Sequence, residues 1–129
     1  MSLARSVLAV LAGIVVLTLT SFAIEAAVKP MLPLNGAGMP TGGAAWLITL
    51  SYTLLCVVAG GYATARLARS APVAHAVAMG TLEALMTVGV WMSMPALLPA
   101  WRWIAGIALI VPAAWLGGTI SRARATARR

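Results

Sequence analysis

Apolar residues run along this chain in four long stretches, at about 6–28, 44–67, 73–94 and 102–121, separated by short links rich in proline, glycine or arginine. Each stretch is close to the roughly 20 residues that cross about 30 Å of hydrocarbon as a helix. The pattern predicts an all-α transmembrane bundle of four helices in a single domain, 1–129, and leaves no loop long enough to fold around a core of its own. The link at 30–43 holds three prolines and four glycines, which predicts an irregular extracytoplasmic loop without helix or strand. The turn at 69–72 is short, so the second and third spans should be antiparallel neighbours. The link carrying Pro95 and Pro99 is also compact.

Basic residues divide unevenly between the ends of these stretches. Arg5, Arg66, Arg69, Arg122, Arg124, Arg128 and Arg129 fall on one side of a four-span map, and Lys29 and Arg102 on the other. The positive-inside rule then places both termini in the cytoplasm, as an even number of spans requires of a shared side. Trp46, Trp91, Trp101 and Trp103 map to the opposite, outer interface as an aromatic belt would, and Trp115 lies deeper. The competing view of the first stretch, a signal peptide cleaved near Ser21-Phe22-Ala23, is weakened by an apolar run that continues to Val28.

Composition narrows the function classes. Charged residues make up 9% of the chain against about 25% in soluble domains, and they flank the spans. The net charge of +7 therefore points to topology and to anionic lipid headgroups near the 122–129 basic tail, not to nucleic acid. Cys56 is the only cysteine and lies mid-span, so no intrachain disulfide, metal site or cofactor is expected. An alanine-rich chain with eight arginines to one lysine fits a GC-rich bacterial genome, and with it the bacterial cytoplasmic membrane.

Small residues recur at helical spacing. Gly60 and Thr64, Gly61 and Ala65, Ala113 and Gly117, and Ala114 and Gly118 form ridges at which helix backbones can approach closely. The echo of Gly60-Gly61 before Arg66 in Gly117-Gly118 before Arg122 suggests a parallel repeat of two hairpins. Pro112 removes one helical N–H inside the fourth span, and a kink is expected there.

The two acids differ in depth. Glu25 lies about 30 Å along a helix from Arg5, at the outer interface, with Lys29 one turn on and Arg102 expected at the same depth. An interfacial ion pair among Glu25, Lys29 and Arg102 is the expectation. Glu83 lies about 16 Å above Pro72, near the midplane, where an ionised group costs about 2.5–3.5 kcal/mol. The six Leu and Val residues of that span return only about 2–4 kcal/mol, so Glu83 should face other helices. It is the candidate proton or cation site, with Thr87 one turn on and Thr49, Ser51 and Thr53 as hydroxyl partners on a neighbouring span. His75, below it, is expected to be solvated at the cytoplasmic mouth. No nucleophile sits beside a base and no second acid or histidine cluster accompanies Glu83, so no enzyme is expected.

Glu25 at the end of the first span, Gly60-Gly61 before Arg66, and Pro112 followed by Leu116-Gly117-Gly118 resemble a group of small bacterial four-span membrane proteins without assigned activity. Some members carry a His-Pro pair before the last span, where this chain has Leu98-Pro99. The resemblance implies the fold and carries no function. The sequence thus favours a non-enzymatic membrane component that packs with itself or with another membrane protein. A small proton- or cation-coupled transporter using Glu83 is the alternative.

Overall fold

A computed structural model describes residues 2–129. Four α-helices follow in order, α1 (Leu3–Val28), α2 (Gly43–Leu67), α3 (Pro72–Ser93) and α4 (Ala100–Ala127), with short 3-10 turns at Lys29–Met31 and Pro95–Leu97. All four helices are long and apolar enough to cross a membrane. The described residues hold no named strand; a single antiparallel bridge joins Leu34 and Pro40.

Local chemistry sets the boundaries. Ser2 caps α1 by accepting a hydrogen bond from the Arg5 amide at 3.3 Å. Pro72 opens α3 at a position where its missing N–H costs nothing. The reversal before it is tight enough to hold Ala71 in the left-handed region at φ 45°. In the long link, the Asn35 side chain accepts from the amides of Ala37 and Met39, giving the turn more order than its glycine and proline content suggested. The basic tail is mostly helical. Helix α4 continues past 121 to Ala127, because Ala and Arg are strong helix formers and cations suit a helix C-terminus.

Helices α1 and α3 run parallel, with Ser6 beside His75, and α2 and α4 run parallel, with Tyr62 beside Arg124. One end of the bundle therefore gathers both termini and the 67–72 turn, and is called the arginine end below. The other, the loop end, carries the 29–42 and 94–99 links.

The interior of the arginine half is made of small residues in backbone contact. A Cβ on Gly61 would lie 2.5 Å from the Ala114 carbonyl oxygen, and one on Gly117 would run into the Val58 carbonyl. Gly60 meets Gly13 of α1, each close to the other's carbonyl oxygen, and Gly118 meets Ala76 of α3. Such contacts bring in weak Cα–H···O interactions and dispersion, which hold helices together where lipid removes the hydrophobic drive. Gly60, Gly61, Gly117 and Gly118 thus all pack within the chain. Gly13 and Gly80 join the same seams; neither belongs to a doublet, but each sits at four-residue spacing from a buried alanine, Gly13 from Ala9 and Gly80 from Ala76 and Ala84. Large apolar side chains such as Leu8, Leu19 and Phe22 of α1 point outward, as lipid contact requires.

Candidate functional site

Of the buried polar residues among those described, Thr64 and Ser121 lie toward the arginine end, and Thr49 and Arg102 lie at the loop end. Helix α1 brings Ser21 and Glu25, the 3-10 turn after it Lys29, α2 Thr49, Tyr52 and Thr53, and α4 Arg102 to the wall of one cavity of about 240 Å³. The i,i+4 spacing of Glu25 and Lys29 and of Thr49 and Thr53 turns each pair to the same side of its helix.

Arg102 is the unusual member. Only 7% of it is exposed. Its Nε donates to Thr49 Oγ1 at 3.3 Å and its Nη2 to Thr53 Oγ1 at 3.4 Å, both long for this bond type. Each hydroxyl spends its own proton on a backbone carbonyl, Thr49 on Trp46 at 2.8 Å and Thr53 on Thr49 at 2.7 Å, and so offers a lone pair to the guanidinium. No carboxylate lies within ion-pair distance of it among the described residues. Of the ion pair expected among Glu25, Lys29 and Arg102, the Glu25–Lys29 contact forms and Arg102 stays outside it. Glu25 pairs with Lys29 alone at 3.5 Å, while Arg102 turns into the bundle toward α2, where the threonine pair and the missing Cβ of Gly106 make room for it.

The Glu25–Lys29 pair is 43% and 37% exposed on its two sides, a geometry worth about 0.3–0.5 kcal/mol. Lys29→Met is accordingly expected to lower stability in a detergent unfolding titration by less than about 1 kcal/mol. A loss several times larger would show that the pair is coupled to its surroundings.

Two tryptophans brace this end. Trp103, 3% exposed, donates from Nε1 to the Pro95 carbonyl at 3.3 Å and stacks on Trp91 with centroids 6.1 Å apart. Trp103 is thus a core residue joining α3 to α4, whereas Trp101 beside it is exposed.

Glu83 lies on the bundle-facing side of α3, between Met79, Gly80 and Ala84, and is partly buried. No hydrogen bond or ion pair reaches its carboxyl group among the described residues. The expected hydroxyl partners are engaged elsewhere. Thr87 donates to the backbone carbonyl of Glu83 at 2.9 Å, Ser51 to the Leu47 carbonyl at 2.8 Å, and Thr49 and Thr53 hold Arg102. The cause is local: a helical threonine or serine finds the carbonyl one turn back before it finds a neighbour.

His75 is likewise not simply solvated. Its Nδ1–H donates to the Ala71 carbonyl at 2.9 Å, and Nε2 is hydrogen-bonded to the Ser6 hydroxyl at 3.0 Å. The histidine ties α3 to α1. Cys56 is buried among apolar neighbours, and no group of three His, Cys, Asp or Glu able to hold a metal occurs among the described residues.

No protein family, curated protein or solved structure matches this chain. Its class follows from its own fold: a small all-helical protein with four helices each able to cross a membrane, and a polar cavity at one end of the bundle.

Proposed function

We propose that this chain is a non-enzymatic accessory component of the bacterial cytoplasmic membrane, with both termini in the cytoplasm, and that it does not conduct protons or cations across the bilayer. One observation carries the reading. Between Glu83 and the arginine end, the interior is filled by Met79, Ala76, Ala114 and Thr64, each 0% exposed and packed against glycines of all four helices. Close packing of this kind has no room for a hydrated path.

The cytoplasmic orientation is supported by charge. Arg66, Arg69, Arg122 and Arg129 surround a second cavity of about 370 Å³ at the arginine end, suited to anionic headgroups of the inner leaflet. The parallel courses of α1 and α3, and of α2 and α4, are compatible with a two-hairpin repeat and with the resemblance to small bacterial four-span proteins. Because the glycine seams are used inside the chain, a second copy or a partner would dock on the lipid-facing side chains.

Proton flux into proteoliposomes under an imposed potential tests the reading. Flux is expected to match that of empty liposomes, and Glu83→Gln is expected to leave it unchanged. The second reading, a small proton- or cation-coupled transporter, is favoured by the inward-turned Glu83 without a partner. Flux well above the empty control that disappears in Glu83→Gln would establish it in place of the first.

A further inference from the structure

We infer that the loop-end cavity is a binding site for a small anion with a phosphate or carboxylate head, and that Arg102 is the residue that receives it. Four observations converge. First, Arg102 is more than nine-tenths buried and lines the cavity. Second, its five N–H donors meet only two long bonds to neutral hydroxyls, so a charged fork shaped for two oxygens is left largely unspent. Third, the one acid in the cavity wall, Glu25, is already paired with Lys29 at 3.5 Å. The wall therefore holds two cations and one anion and carries a surplus of one positive charge. Fourth, the volume of about 240 Å³ is the space of about eight waters at about 30 Å³ each, enough for an anionic head and several further atoms.

A buried guanidinium without a counter-ion is costly, and an incoming anion offsets that cost. The flanking groups suit the role. Tyr52 adds a hydroxyl to the wall, and Lys29 can turn from Glu25 toward a second anionic oxygen. Phe22, Ala26, Pro30 and Leu34 form an apolar groove of about 500 Å³ that shares Glu25 and Lys29 with the cavity, so the head can arrive on a lipid as well as from the aqueous side. The inference does not depend on the accessory reading above: a transporter could carry the same site.

Thermal unfolding followed by tryptophan emission tests it in two arms at fixed ionic strength. In detergent, inorganic phosphate is compared with chloride. In nanodiscs, phosphatidylglycerol is compared with phosphatidylcholine. A rise in midpoint on the order of 5 °C in either arm is expected for the wild type. It should be absent in Arg102→Met and in the polar variant Arg102→Gln, and preserved when Arg122, Arg124, Arg128 and Arg129 are all changed to Gln. A shift in the first arm identifies a soluble anion, and a shift in the second alone identifies a lipid headgroup; both sustain the site. No shift in either arm, or a shift that survives both Arg102 variants, overturns it.

Discussion

Gly117→Ala is expected to lower the stability of the bundle by about 1–3 kcal/mol, despite the better helix propensity of alanine. The new methyl group would strike the Val58 carbonyl oxygen and lie 2.8 Å from the Tyr62 amide nitrogen. Both are backbone atoms of α2 that no rotamer change can move, so α2 and α4 must separate. The neighbouring contact of Gly61 with Ala114 on the same seam would then be lost with it. Unfolding in mixed micelles with increasing dodecyl sulfate, followed by tryptophan emission, reads the change. Gly89→Ala is the matched control, because an added Cβ there meets nothing within 4 Å; it should be neutral or stabilising by up to about 1 kcal/mol. Equal midpoints for the two variants would mean that the α2–α4 seam does not hold the bundle together.

Arg102→Met should move stability the other way. Replacing a buried ion pair by apolar residues of similar volume is often neutral or stabilising by about 1–4 kcal/mol, and a buried charge with no ionic partner has the desolvation cost without the Coulombic return. Here the usual penalty of removing a partner does not arise. Thr49 and Thr53 keep their bonds to the Trp46 and Thr49 carbonyls when the guanidinium is gone, and no carboxylate is orphaned. Thermal unfolding in a neutral detergent and in buffer free of phosphate, followed by tryptophan emission, is expected to give a higher midpoint for the variant. A wild type that is less stable than its variant retains Arg102 for a reason other than folding, which is what an anion site requires. A loss of 3–5 kcal/mol would instead mark Arg102 as part of the scaffold.

Much of the architecture was legible in the linear pattern, since span number and approximate length depend on runs of apolar residues and on the thickness of the bilayer. The candidate site was less so. Glu83 stands out in any sequence reading, being one of two acids and the one set deep in a span, and the fold does place it on the inner face of α3. Its partners could not be read, because a threonine at helical spacing has a competitor for its proton in its own backbone, and the competitor wins at Thr49, Thr53 and Thr87. The inward turn of the Arg102 side chain could not be read for a related reason. Depth along a helix follows from counting residues, but the direction in which a long side chain leaves the helix does not. Arg102 is near enough to a span end to reach the interface, yet the hydroxyls of α2 and the gap at Gly106 draw it inward.

The sequence by itself determined that there are four helices, each able to cross a membrane, and which ends of them carry the arginines, because both depend only on local composition counted along the chain. The tertiary structure alone decided that Gly13 and Gly80 share the seams with the two glycine doublets, that the arginine half is close-packed, and that Arg102 is buried without a counter-ion. Those features depend on which faces of α1, α2, α3 and α4 meet and at what height. That choice is made by backbone contacts between residues far apart in the chain, which no local pattern encodes.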